Sequence, residues 1–177
     1  MLGDAYEYLI GQFAMESGKK AGEFYTPQQV SEVMAQIVAK STDIESIYDP
    51  TVGSGSLLLI VSKHLSPEAQ RNLSFYGQEK NALTYNLTRM NLLLHGVRPN
   101  KMNIKNADTL GPDWPEDPAR PNEGVQFDAV VMNPPYSLNK WNKDNQVKIR
   151  TRVFRLLACY RRIPKVILPF FYMAFII

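Results

Sequence analysis

A chain of 177 residues with 45% hydrophobic and 21% charged residues is long enough for one domain with a real core, and its composition is that of an ordinary soluble globular protein. The net charge of +3 joins two opposites: residues 1–146 hold 13 Lys and Arg against all 17 Asp and Glu, whereas residues 147–177 hold seven basic residues and no acidic one. The basic balance therefore comes from the tail alone and says little about nucleic acid. The lone Cys159 rules out an intrachain disulfide and suits a reducing cytoplasm, and Asp4 and Glu7 argue against a signal peptide. The apolar run Val166–Ile177, broken by Pro169, is shorter than the roughly 20 residues of a membrane span.

In chain order, Asp4 to Met15 has helical spacing with Tyr8, Leu9 and Phe13 as its apolar side. Thr26-Pro27-Gln28-Gln29 reads as a helix start, with Thr26 as cap, Pro27 at the first helical position and Gln29 closing a capping box. That helix is expected to run to about Lys40, with Val30, Val33, Met34, Ile37 and Val38 recurring on one face. A short strand at Ile47-Tyr48 ends in Asp49-Pro50-Thr51-Val52-Gly53-Ser54-Gly55, and a helix follows from near Ser56. A strand at Leu73–Gly77, a helix from Asn81 to about His95 and a strand near Met102–Lys105 come next. Residues 111–124, with four prolines and two glycines, read as a surface loop, and a buried strand over Phe127–Met132 runs into Asn133-Pro134-Pro135-Tyr136. This alternation predicts an α/β doubly wound, mostly parallel sheet, with ligands at the carboxyl ends of the strands.

Four groups of residues fall at those ends. Gly53 and Gly55, with Ser54 and Ser56, permit a tight turn whose backbone can approach a ligand at a helix N-terminus. The same turn also suits a plain helix entry, and Leu58 stands where a dinucleotide fingerprint needs its third glycine. Glu79 follows Gly55 by 24 residues, an offset at which a carboxylate can accept both hydroxyls of a ribose; an exposed loop acid is the bland reading. Asp108 closes the third strand, where a turn or cap aspartate is as good an account as a ligand contact. Asn133 offers a side-chain carbonyl and Pro134 a backbone carbonyl without an N–H, two fixed acceptors for an exocyclic amine. Tyr136 supplies a flat face for an extruded base. A simple chain stop at Pro134-Pro135 would leave the Asn and the aromatic unexplained. With only His64 and His95 present and no Cys/His cluster, no metal is implied, and the two histidines read as helix-surface residues.

The run FDAVVMNPPYS, Phe127 to Ser137, resembles the amino-methyltransferase signature as it stands in the modification subunits of type I restriction–modification systems. GEFYTPQQV, Gly22 to Val30, is similar to that family's cofactor segment, and Asn81-Ala82-Leu83 and Asn91-Leu92-Leu93-Leu94-His95-Gly96 extend the likeness over roughly residues 20–143. The resemblance implies a Rossmann-like fold, S-adenosylmethionine as cofactor and adenine N6 in double-stranded DNA as target. By the same resemblance Phe24, Tyr25 and Thr26 would contact the methionine part of the cofactor, backbone groups of the glycine turn would hold its amino-acid end, and Glu23, Pro27 and Asp49 would be cofactor-binding with them. Asp108 would take the adenine amino group, and Asn133, Pro134, Pro135 and Tyr136 would be catalytic. A specificity subunit, and beyond it a restriction subunit, would be the partners, in the cytoplasm and away from membranes. Rival readings are glutamine or RNA methylation by the same motif, and a non-catalytic assembly fragment.

Measured against that family, residues 1–20 are expected to be a remnant of a helical region, 21–146 the catalytic core with a sheet that stops at its fourth strand, and 147–177 an atypical tail. Acidic residues and periodicity both vanish near Val147. Codons permitted for Arg161 to Ala174, read one base earlier, can spell PPDSKGDFAFLLHG, a string of the kind those subunits carry after NPPY. The tail is accordingly expected to be a frameshifted reading, unselected for folding and prone to aggregate.

Overall fold

The computed structural model describes residues 2–16, 26, 28–41, 43–109, 116–117 and 119–134. The expected tail over 147–177 lies outside them, as does the continuation of the core beyond residue 134. Five helices, α1 (Leu2–Glu16), α2 (Gln28–Val38), α3 (Ser56–His64), α4 (Pro67–Asn72) and α5 (Ala82–Leu94), alternate with strands β1 (Ser46–Asp49), β2 (Ser74–Glu79) and β3 (Met102–Asn106). A hairpin of β4 (Glu116–Asp117) and β5 (Arg120–Gly124) then precedes β6 (Ala129–Val130).

The main sheet has the order β3-β2-β1-β6, and all three of its pairings are parallel. The crossover from β3 back past β2 and β1 to β6 makes a topological switch at β1, the place where doubly wound sheets bind ligands. Strand alternation sorts the side chains onto two faces. Ile47, Phe75, Ala129 and Val131 join the larger core with Leu57, Leu58, Val61 and Leu92 from the helices. Tyr48 and Val130 face the other way and pack with Phe127, whose ring stacks on Tyr48 at 4.6 Å. β6 is anchored at its start by Asp128, whose Oδ2 accepts from the backbone N–H of Glu45 and Ser46 and from the Ser46 hydroxyl at 2.7 Å. Its own N–H donates to the same hydroxyl.

Several expectations are corrected. The buried line of α2 is Ser31, Ala35 and Val38, one step round from the expected face; Val33 is 57% exposed, and Val30 and Ile37 are exposed with it. Small side chains at 31 and 35 let α2 lie close on α3, which a reading by hydrophobicity alone misses. In α1 Tyr8 and Leu9 are in solvent, and Gly3 and Ile10 are the buried residues among its described side chains, which do not include Phe13. Part of the expected loop is the β4–β5 hairpin, paired antiparallel through Glu116↔Gly124 and Asp117↔Arg120. The fourth strand is shorter than expected, because only Ile47↔Ala129 and Tyr48↔Val130 pair.

Neither histidine is a free surface group. His64 bonds the Ile60 carbonyl through Nδ1 and meets Glu32 of α2 at 2.6 Å through Nε2. The His95 side chain is 9% exposed; its Nδ1 donates to the Asn91 carbonyl, and its ring lies so close to Gly3 that a Cβ there would meet it at 2.7 Å. Glycine at position 3 is what lets α1 pack on α5.

Candidate active site

The carboxyl ends of β1, β2 and β3 are tied together by short polar contacts. β1 ends in Asp49, which is 2% exposed and accepts at Oδ1 from the Thr51 N–H (2.8 Å) and hydroxyl (3.2 Å). Burial pushes its carboxyl up to about 7, against those two bonds, and the charge of Glu79 adds to the rise. The chain then turns through Gly53 (φ 52°) and Gly55 (φ 81°), left-handed conformations that a side chain disfavours. The Val52 N–H bonds the Gln78 carbonyl of β2 at 3.1 Å, and the Gly55 N–H closes the turn on the Val52 carbonyl at 2.8 Å. Gly55 caps α3 without a side-chain bond, and the buried hydroxyls of Ser54 and Ser56 meet at 2.9 Å.

Glu79, at the end of β2, is half-buried, and burial raises its carboxyl above the usual range. Backbone N–H groups of Asn81, Gly53 and Lys80 partly offset that rise, the Asn81 bond measuring 2.7 Å. Gly53 and Glu79 are therefore neighbours across the β1–β2 boundary. Asp108, just past β3, is paired with Lys80 at 2.9 Å; the Lys80 side chain is largely in solvent and that of Asp108 about half so. The Asn106 amide bonds the carbonyls of Glu79 and Lys80, and the Thr109 hydroxyl bonds that of Pro50. Asp49, the glycine turn, Glu79 and Asp108 thus share one rim.

On the other side of β1, the Val131 N–H donates to the Tyr48 carbonyl at 2.9 Å, so β6 carries the chain past the end of β1 towards Asn133 and Pro134, both half-buried. Thr26, also half-buried, stands shortly before α2. Glu23, Phe24, Tyr25, Pro27, Pro135 and Tyr136 lie outside the described residues. Among the described residues no group of three or more His, Cys, Asp or Glu could hold a metal.

Residues to which no site role was assigned from the sequence sit behind the turn. Thr84, Thr88, Asn91 and Leu92 form the buried face of α5. The Thr88 hydroxyl bonds the Gly53 carbonyl, and the Asn91 amide donates to the Ser54 carbonyl at 3.0 Å. The signal was available in the i, i+4, i+7 spacing of Thr84, Thr88 and Asn91, a polar line down one side of a helix.

The profile of the N-6 DNA Methylase family matches residues 1–164. The methylase subunit of the type I restriction enzyme MpnII from Mycoplasma pneumoniae is 46% identical over 146 residues, which cover 81% of this chain and 27% of that protein. The solved methyltransferase subunit of a type I restriction–modification system from Streptococcus thermophilus is also 46% identical, with a TM-score of 0.64 over 82% of this chain and 30% of its own. In fold alone, at 14% identity, the chain is similar to the O-methyltransferase TomG of Streptomyces achromogenes, solved in complex with SAM (TM-score 0.58; 88% of this chain, 60% of that one). The chain spans about a quarter of the length of the curated relatives it matches. With a profile match over most of its length and a Rossmann-like methyltransferase fold, this chain belongs to the N-6 DNA Methylase family.

Proposed function

We infer that residues 21–146 carry the cofactor-binding and amine-presenting part of a DNA adenine-N6 methyltransferase that uses S-adenosylmethionine. The observation that carries this reading is the arrangement of Asp49, the glycine turn, Glu79 and Asp108 on one rim, with Asn133 and Pro134 leaving the adjacent strand, in a member of this family.

The residues present fit the cofactor. Glu79 is a half-buried carboxylate beside a glycine turn, suited to two ribose hydroxyls. The turn at 53–56 would bring bare backbone to the methionine end of the cofactor. Asp108, on the same rim, would accept from the cofactor's adenine amino group beside its pair with Lys80. When bound, S-adenosylmethionine supplies an electrophilic methyl group on a sulfonium leaving group.

The rest is the work of this chain. The side-chain carbonyl of Asn133 and the backbone carbonyl of Pro134 accept the two N–H bonds of the target amine, turn its lone pair towards the methyl group and stabilise the positive charge that develops on nitrogen. On this reading Tyr136, which follows Asn133-Pro134-Pro135 in the sequence, would be the aromatic that stacks on an extruded base. No covalent bond between enzyme and base is needed, because a positioned amine is nucleophile enough.

DNA and a specificity subunit are the partners this reading requires, with a restriction subunit completing the system. Among the described residues no helix is long and apolar enough to cross a membrane. The test is co-expression of the chain with a neighbouring specificity subunit, followed by mapping of methylated adenines in duplex DNA. Methylated sites are expected for the unaltered chain, and none for Asn133→Ala, with S-adenosylmethionine affinity within about twofold of the parent. Methylation by that variant at the parental rate overturns the reading.

A further inference from the structure

The glycine turn is held from behind by two side chains that would touch neither cofactor nor base. Both belong to α5, are fully buried and aim at consecutive carbonyls: Thr88 at that of Gly53, Asn91 at that of Ser54. A hydroxyl has one hydrogen, and the Thr84 carbonyl also lies 2.8 Å from the Thr88 oxygen, so the bond to the turn competes with a bond inside the helix. Asn91 is committed more plainly. Its amide donates to Ser54, while its own Oδ1 is buried with no hydrogen-bond partner among the described residues. Exchanging the two ends of the amide would set oxygen against oxygen at Ser54, so the orientation is fixed by chemistry. A buried, half-satisfied amide is unfavourable for packing alone, and its presence here calls for a role in placing the turn.

Peptide planarity states what that role is. In a trans peptide the C=O and N–H point in opposite directions. Drawing the Gly53 carbonyl into α5 therefore aims the N–H of Ser54 away from the helix, on the side of the strand ends. The left-handed φ of Gly53 and Gly55 gives the backbone freedom to adopt this arrangement and equal freedom to leave it. We propose that Thr88 and Asn91 are positioning residues that hold the glycine turn so that the Ser54 N–H keeps its ligand-binding orientation, Thr88 through the Gly53 carbonyl and Asn91 by fixing the Ser54 carbonyl beside it, and so set the affinity of the S-adenosylmethionine site. The proposal rests on the cofactor reading above and adds the device that prepares the site.

The test compares Thr88→Val, Thr88→Ser and Asn91→Leu with the parent in the full 177-residue chain. Thr88→Val keeps the methyl group that faces Gly55 and removes only the hydroxyl, and Leu73→Val serves as a control that weakens the core away from the turn. S-adenosylmethionine binding is measured by calorimetry. Amide hydrogen exchange over residues 52–57 is measured without ligand. Thr88→Val and Asn91→Leu are expected to weaken binding by about 3–10-fold each and to speed exchange in the turn. Thr88→Ser stays near the parent in both readouts, and Leu73→Val lowers the melting temperature without changing the dissociation constant. Parental affinity and parental exchange in both Thr88→Val and Asn91→Leu overturn the proposal. If the unaltered chain takes up no S-adenosylmethionine, the cofactor reading falls by itself; the exchange data still decide the clamp, and unchanged exchange ends it.

Discussion

Two helices flank the glycine turn, and they are built in opposite ways. α3 begins at the turn and buries Leu57, Leu58, Leu59 and Val61, an apolar surface that makes it part of the core. α5 crosses behind the turn and buries Thr84, Thr88 and Asn91 with Leu92, while Leu83, Leu87, Met90 and Leu93 point outward, Leu83 being 76% exposed. The difference separates two tasks. α3 supplies stability through area removed from water, whereas α5 supplies direction, since only polar groups can fix the orientation of a carbonyl.

The largest effect that sharpens this contrast is Leu58→Ala in α3. It empties a fully buried site and is expected to cost about 2–5 kcal/mol of stability, read by denaturant unfolding. A loss below about 1 kcal/mol would mean that α3 is not the stabilising member of the pair.

A pH titration of stability probes the buried carboxyl of Asp49 at the end of β1, just before the turn. Asp49 binds its proton more tightly in the folded chain, with its carboxyl raised from 3.8 to about 7, and Glu79 is raised in the same sense. Folding therefore favours the protonated forms. Stability should fall as pH rises from about 4 to about 7 and level off above that. Asp49→Asn is expected to flatten the slope; an equally steep slope in that variant would show that the charge is not where burial places it.

Glu79→Ala should weaken S-adenosylmethionine binding by roughly 1.5–3 kcal/mol, the range for a hydrogen bond to a charged group. Its effect on stability should be far smaller than that of Leu58→Ala, because the carboxylate is buried at a cost. Calorimetry on parent and variant settles this, and equal affinities would remove Glu79 from the site. Smallest of all, Leu83→Gln on the exposed face of α5 is expected to stay within about 0.5 kcal/mol of the parent in unfolding experiments. A larger loss would show that this face is covered.

The contrast also explains what was legible in the sequence. β1, α3, β2, α5 and β3 could be located because their ends carry local chemistry, such as the Asn81 side chain that accepts from the N–H groups of Leu83 and Thr84. The rim of Asp49, Gly53, Gly55, Glu79 and Asp108 could be named because strand ends converge in a parallel sheet. α4 was missed although Ser66 and Pro67 are a cap and a first helical residue, because its six residues bury nothing and show no apolar period. The inward lines of α2 and α5 were not legible for a different reason. Hydrophobic periodicity assumes that the inward line is the apolar one, and here close packing at Ser31 and Ala35 and hydrogen bonding at Thr88 and Asn91 decide instead.

Asp128 gives the short fourth strand a consequence beyond its two paired residues. A ladder of Ala129 and Val130 against β1 has little to resist sliding by one place, and a one-residue slip turns every side chain to the opposite face. The carboxylate of Asp128, locked to Glu45 and Ser46 at the far end of β1, works as an index pin: it sets the count along β6 before the chain reaches the rim. Asn133 stands five positions beyond the pin, so the face it presents at the end of β1 is decided at the opposite end of the sheet.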